Sequence, residues 1–265
     1  MKIFLSADIE GTCGIAHWDE TSAGKPLYDR FAMQMTREVA AACEGALAGG
    51  TAEILVKDAH DTARNILPEY LPEQARILRG WARHPYSMMA GLDDTFDGAI
   101  FTGYHSAAQM ETNPLSHTMN LHNNYVKING ELASELMINS LTAASLGVPV
   151  LMVTGDAGLC GWMRDVCPWV QAVPVNEGHG NATLSIHPGL AVRRIKEAAE
   201  RAVSQIAQAQ PFPMPQRFVV DINYKDHPRA EGAHWYPGCE KLDARTVRYT
   251  SDNWFDVLTM FHFIL

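Results

Sequence analysis

The sequence predicts an α/β fold: a Rossmann-like, largely parallel sheet with helices on both faces, followed by a smaller C-terminal α+β domain. Three observations predict it. Short β-branched runs alternate with helical stretches. The runs are strand-length, as in Glu53 to Lys57 (EILVK) and Ala99 to Thr102 (AIFT). Polar, chemistry-bearing residues gather just after the strands, where ligands of open α/β sheets sit. Residues 1–187 are expected to form the first domain and 188–265 the second, with Pro211-Phe212-Pro213-Met214-Pro215 as the one linker-like stretch.

Lys2 to Ala7 is the first predicted strand. A long helix follows over Pro26 to Ala48, with Phe31, Met35, Val39, Ala42 and Ala46 at three- and four-residue spacing and Gly49-Gly50 as its stop. Glu53 to Lys57, Ala75 to Leu78 and Ala99 to Thr102 are further strands. Thr118 to Asn120 and Tyr125 to Ile128 are expected to pair antiparallel, beside the Asn129-Gly130 turn signal. Ala133 to Leu146 reads as a helix and Val150 to Thr154 as a fifth apolar strand. Pro188 to Gln210 reads as a helix with a charged, solvated face. The tail supplies strands at Arg217 to Ile222 and Thr246 to Tyr249, and a last helix from about Asp252 whose apolar end, Phe261 to Leu265, is expected to be buried.

Composition excludes several functions. Of 265 residues, 47% are hydrophobic and 19% charged, a globular balance. The formal net charge of −9 argues against nucleic-acid binding and against an anionic-membrane surface. No apolar run approaches the roughly 20 residues that cross a bilayer, and the N-terminus has no signal-peptide pattern, so a cytoplasmic location is expected. The five cysteines are scattered, with no CxxC pair.

The chemistry sits at strand ends. Asp8-Ile9-Glu10-Gly11 follows the first strand, Asp58-Ala59-His60-Asp61 the second, and Gly103-Tyr104-His105-Ser106 the fourth. Ser116-His117, Glu131 and Glu135 lie further on. Carboxylate and imidazole suit zinc and similar borderline ions, and also manganese or cobalt. In an extended segment, D-x-E places both carboxylates on one side of the strand. A two-metal centre needs about five or six such ligands; Asp8, Glu10, His60, His105 and Glu135 supply that number. Asp58 is expected to orient His60 or pack nearby. His122 is a weaker candidate for the pocket wall. Cys13 has no base at a suggestive spacing and reads as a small buried turn residue.

In this order, Asp8-Ile9-Glu10-Gly11, Lys57-Asp58-Ala59-His60, Met89-Ala90-Gly91-Leu92-Asp93-Asp94-Thr95-Phe96, Gly103-Tyr104-His105, Ser116-His117-Thr118, Ser134-Glu135-Leu136 and Pro149 through Asp156 resemble the DppA-type D-aminopeptidases, a family of dinuclear zinc metallopeptidases. The likeness spans nearly the whole chain and is densest up to about residue 190. It implies two zinc ions per subunit held by Asp8, Glu10, His60, His105 and Glu135, with His117 catalytic beside them. It implies aminopeptidase hydrolysis of short peptides with an N-terminal D-residue, typically D-Ala, by a water activated at the dinuclear centre. It also implies a homo-oligomeric ring, a decamer being one expected size. The alternatives are another amide or ester hydrolase on the same centre, or a noncatalytic metal- or ligand-binding protein. The chain departs from the family where basic residues are expected in a V-K-x-x-x-x-R-like segment: it reads Val175-Asn176-Glu177-Gly178-His179-Gly180-Asn181. Basic groups there would meet a peptide carboxylate, so the departure bears on that end of the substrate, where His179 is a partial substitute.

Overall fold

A computed structural model describes all 265 residues. In chain order the strands are β1 (Lys2–Ala7), β2 (Glu53–Asp58), β3 (Ala75–Leu78), β4 (Gly98–Tyr104), β5 (Asn123–Ile128) and β6 (Glu131–Leu132). They continue as β7 (Val150–Asp156), β8 (Gln171–His179), β9 (Ala182–Ser185), β10 (Phe218–Tyr224), β11 (Cys239–Lys241) and β12 (Thr246–Ser251). The helices are α1 (Tyr28–Ala48), α2 (Glu135–Ser145), α3 (Ala157–Val166), α4 (Pro188–Ser204), α5 (His227–Ala233) and α6 (Trp254–Ile264).

Seven strands form one sheet in the order β3-β2-β1-β4-β7-β8-β9, parallel throughout except for the β8–β9 hairpin at one edge. The chain winds outward from β1 to β3, then returns to the other side of β1 at β4. The reversal between β1 and β4 is the topological switch point of a doubly wound sheet, where the carboxyl ends of adjacent strands open a crevice. Both faces are covered. Alternation along the strands sends Ile3, Leu5, Ile54, Val56 and Ile100 into one core, under α1 and α4. Phe4, Ala99 and Phe101 face the other core, with α2, α3 and α6.

The second sheet is antiparallel, in the order β11-β12-β10-β5-β6. Strand β10 buries Phe218, Val220, Ile222 and Tyr224 on one face. On the other face Arg248 grips Asp221 through two bonds of 2.6 and 2.8 Å. The boundary between the sheets does not coincide with the 187/188 division expected from sequence. Strands β5 and β6, from the middle of the chain, complete the second sheet, while α4 packs on α1 against the first. Strand β5 pairs with β10 and β6, not with residues 118–120; those form an isolated bridge, Thr118 to Asn120. The Asn129-Gly130 turn does join β5 to β6, with φ of 52° and 87°, the left-handed pair that such a hairpin turn requires. The C-terminal end is only partly covered: Phe261 is buried, but Phe263 is 70% exposed.

One core group titrates near neutrality. Glu38 on α1 is buried, and burial pushes its carboxyl up to about 7 against the bonds from Gln34 and the Cys13 backbone. A carboxyl raised above its unfolded value stabilises the fold below the unfolded pKa and loses that contribution as pH rises through about 7. Wild-type stability should therefore fall between about pH 4.5 and 7.5 by up to about 3 kcal/mol from this group. Glu38→Gln should flatten that slope in denaturant titrations at pH 5 and pH 8. An equal slope in both proteins would remove Glu38 as its source.

Candidate metal centre and active-site cleft

The polar segments that follow β1, β2 and β4 meet at the switch point. Asp8 and Glu10 leave the end of β1, and both are buried. Their convergence comes from a turn beyond the strand, because β1 ends at Ala7, rather than from the alternation expected of an extended D-x-E. The turn is held by Asp8 N–H on the Thr102 carbonyl (2.9 Å) and Gly11 N–H on the Gly103 carbonyl (2.8 Å). A Cβ on Gly11 would stand 1.9 Å from the Tyr104 carbonyl oxygen, so only glycine lets these two backbones approach. Below, Tyr104 is fixed through its hydroxyl by Ser6 Oγ (2.7 Å) and Asn139 Nδ2 (2.9 Å).

His60 follows β2. Its Nε2–H donates to the Thr21 carbonyl (2.9 Å), which turns Nδ1 towards Asp8 Oδ1 (3.3 Å) and Glu10 Oε2 (3.1 Å). His105 follows β4. Its Nδ1–H donates to the Ser106 carbonyl (2.9 Å), and Nε2 lies 3.5 Å from Asp8 Oδ2 and 3.6 Å from Glu135 Oε1. Glu135 opens α2 behind the Ser134 cap, whose Oγ accepts the Met137 N–H, and a carboxylate suits the positive end of that helix. The Met119 N–H fixes Glu135 Oε1 (2.7 Å). His117 stacks flat on His105, with centroids 4.2 Å apart, and its Nε2 is 3.5 Å from Glu135 Oε1. Its Nδ1–H is held by the Leu115 carbonyl (2.9 Å), and Trp18 meets the ring edgewise.

All six side chains predicted from sequence thus come together. Asp8, Glu10 and His105 form one group of potential ligand atoms, and His105, His117 and Glu135 another, each with its atoms within 4.8 Å of one another. His60 adjoins the first. Asp8 Oδ2, Glu10 Oε2 and His105 Nε2 are buried without a hydrogen-bond partner. Buried polar atoms are rarely left so, and three of them aimed at one point is the arrangement a cation completes. The donor set, three carboxylates and three imidazoles, has the oxygen and nitrogen chemistry of a borderline divalent metal.

The electrostatics agree. Burial, then the neighbouring Glu10 charge, raises the Asp8 carboxyl well above its usual range. Glu10 is held well below its range because His60, His117 and His105 outweigh the effect of burial. Glu135 is brought to about 2, with His105 outweighing burial. Burial and then the facing His105 lower His117. Its imidazole is therefore biased to the neutral, proton-accepting form.

A cavity of about 360 Å³ opens over these groups, walled by Trp18, Thr21, Ser22, Asp61, Trp81, Met88, Met119 and Leu121. Four carboxylates line it, Asp8, Glu10, Asp61 and Glu135, and no lysine or arginine does.

Residues 1–263 match the model of the M55 peptidases, described as D-aminopeptidase. The chain belongs to this family. It is 32% identical over 251 residues to the D-aminopeptidase of Bacillus subtilis (strain 168), covering 94% of this chain and 91% of the relative. A solved structure described as the Zn-dependent D-aminopeptidase DppA from Bacillus subtilis, a self-compartmentalizing protease, superposes with a TM-score of 0.92 at 30% identity. That match covers 98% of this chain and 95% of the other.

Within this M55 fold the remaining candidates have other duties. Asp58 neither reaches the cleft nor orients His60. Its carboxylate accepts the N–H groups of Asn65 (2.6 Å) and Ile66 (2.8 Å) and so shapes the loop after His60. His122 lines a separate cavity with Tyr224, Arg229 and the C-terminus. Glu131 is exposed and accepts the Trp162 indole N–H. Cys13 is buried, and burial, reinforced by Glu38, pushes its thiol up to about 12, which suits packing rather than nucleophilic attack. Asn176 is structural: Nδ2 donates to the Gly11 and Thr12 carbonyls (3.3 and 2.7 Å), and Oδ1 accepts from Gly14 N (3.1 Å) and Ser185 Oγ (2.7 Å). It ties the β8 edge to the turn that carries Asp8 and Glu10. His179 lies exposed on that hairpin beside Glu177 and does not line the cleft. Asn176→Ala should therefore cost about 1–3 kcal/mol of stability, from several buried polar groups left unpaired. Unchanged thermal stability with altered substrate preference would instead place Asn176 in substrate binding.

Two functional groups had no sequence signal. The Thr21 carbonyl orients His60, and any residue at 21 offers a carbonyl. Trp81 walls the cleft, with the buried Lys57 ammonium 4.5 Å from its ring and bonded to the Gly80 carbonyl (2.9 Å). Burial lowers that ammonium to about 8.

Proposed function

We propose that this chain is a metal-dependent aminopeptidase that hydrolyses short peptides bearing an N-terminal D-residue of the D-Ala type. The observation that carries the reading is the set of buried, unpartnered ligand atoms at the floor of an open acidic cleft, in a chain of the D-aminopeptidase family. Zinc fits the donors, and the solved relative is described as Zn-dependent. Asp8, Glu10 and His60 would hold one ion and His105 and Glu135 a second. Asp8 lies between the two imidazoles, Oδ1 towards His60 and Oδ2 towards His105, and would serve both. Metal bound there supplies Lewis acidity for the peptide carbonyl and lowers the pKa of water.

The chain's own residues do the rest. The carbonyls of Thr21 and Ser106 fix the tautomers of His60 and His105, so each ring offers one nitrogen to the centre. His117, neutral and held at Nδ1–H by Leu115, presents Nε2 to the cleft to accept a proton and pass it to the departing amine. The acidic cleft wall favours the positively charged amino end of a peptide, as an aminopeptidase needs.

Hydrolysis of D-Ala-D-Ala and L-Ala-L-Ala by zinc-loaded protein, with and without chelator, tests the reading. Cleavage of the D-form alone, abolished by chelation, is expected. Failure to cleave either peptide in protein carrying two metals per chain would overturn it. The relative's self-compartmentalizing assembly supports a ring for this chain as well, which light scattering would size. No helix is long and apolar enough to cross a membrane.

A further inference from the structure

Within that D-aminopeptidase reading, we infer that Arg83 is the specificity residue that receives the free carboxylate of the peptide, so that the enzyme selects short peptides with an unblocked C-terminus. The cleft over the centre is lined by four carboxylates and lacks Lys and Arg, so it offers no anchor for a peptide carboxylate. The segment where basic residues were expected, 175–181, supplies none either: Asn176 is locked into the fold and His179 lies outside the cleft. A second cavity, of about 260 Å³, adjoins the cleft and shares Trp81 and Met119 as walls. Its remaining lining is Ala82, Arg83, His84, Ser87 and His262, with no acidic residue. The two cavities are thus of opposite polarity across a common apolar wall, which is the charge pattern of a peptide zwitterion.

Arg83 is suited to the task. Its side chain is exposed and enters none of the chain's ion pairs, so its donors are available. Its backbone has φ of 55°, in the left-handed region that a side chain rarely adopts without a reason, on the loop between β3 and the cavity wall. A guanidinium meets a carboxylate through two parallel bonds. Beside it, His84 accepts the Tyr86 N–H at Nδ1 (3.1 Å), which leaves Nε2–H to donate to the same carboxylate. His262 also lines this cavity.

The test compares a phosphinate analogue of D-Ala-D-Ala, as free acid and as C-terminal amide, by calorimetry on zinc-loaded wild type, Arg83→Met and Arg83→Lys. Turnover of D-Ala-D-Ala and D-Ala-D-Ala amide is measured in parallel. Wild type should bind the acid on the order of tenfold to a hundredfold more tightly than the amide. Arg83→Met should bring the acid down to the amide's affinity, leave the amide unchanged, and raise KM for the acid with kcat retained. Arg83→Lys should recover part of the loss. Equal binding of acid and amide by wild type, or equal weakening of both by Arg83→Met, overturns the inference. If the acid is preferred through Arg83 but neither D-peptide is hydrolysed, it is the aminopeptidase reading that fails, and the carboxylate site stands.

Discussion

His117→Ala is expected to lose at least about a hundredfold in turnover while retaining both metals, the lower end of what a positioned acid–base group contributes. The geometry sharpens this expectation, because His117 stands close enough to Glu135 and His105 to be counted with the ligands. Two features separate it from them. Its side chain is 14% exposed, against 0% for His105, so it faces the cleft where a peptide would lie. Its Nε2 is also absent from the buried, partnerless atoms, which include His105 Nε2. An imidazole that burial and His105 bias to the neutral form can take a proton during turnover and release it to the amine. The decisive comparison sets kcat beside elemental analysis of the same variant. Two metals with turnover reduced a hundredfold or more supports a proton carrier. Loss of one metal would make His117 a ligand, and wild-type turnover would remove it from the chemistry. His117→Gln, which keeps a hydrogen-bonding group at nearly the same reach but cannot carry a proton near neutral pH, should be nearly as impaired as His117→Ala.

Part of the candidate site was legible because Asp8, Glu10, His60 and His105 sit in short segments directly after parallel strands, whose carboxyl ends meet at one crevice. Those four needed no knowledge of long-range pairing, whereas the role of His117 came only from the resemblance to the family's Ser-His-Thr segment, and Glu135 opens a helix rather than following a parallel strand. What was illegible depended on such pairing or on backbone atoms. Strand β5 was visible, but its partner β10 lies some ninety residues on (Val126 opposite Ile222), and nothing local in either strand names the other. The β8–β9 hairpin was hidden by Pro174 within the strand and by a polar, glycine-flanked run that reads as loop. Helix α3 carries two glycines in ten residues, and its start rests on one cap, Asp156, which also binds Ser106 through N–H (2.7 Å) and Oγ (2.6 Å). The basic segment missing at 175–181 drew attention to the substrate's carboxylate end, yet the structure gives Asn176 a scaffolding role instead. None of residues 175–181 lines the cleft, which sequence does not reveal because it does not say which loops line a cavity.

Glu135→Ala should lower metal content below two per chain and remove most of the thermal protection that metal gives. Asp8, Glu10 and Glu135 are all buried close together, and a cation would relieve their mutual repulsion beyond what the facing imidazoles and backbone N–H groups supply. A ligand that binds the native state alone stabilises it by about 4 kcal/mol at a thousandfold excess over Kd. For a chain of this size that corresponds to a rise in Tm of roughly 10 °C. Chelation of the wild type should therefore lower Tm by about that amount and abolish activity, and returning zinc should restore both. In Glu135→Ala the chelator should shift Tm much less, because little metal remains to be removed. The variant also leaves the Met119 N–H and the His105 and His117 rings without their carboxylate, so its own Tm will drop for reasons unrelated to metal. Glu135→Gln separates the two effects: its amide oxygen can keep the Met119 bond but is a poor substitute for a carboxylate ligand. Equal metal content in Glu135→Gln and wild type, with an undiminished response to chelator, would reject Glu135 as a ligand even if Glu135→Ala proved unstable.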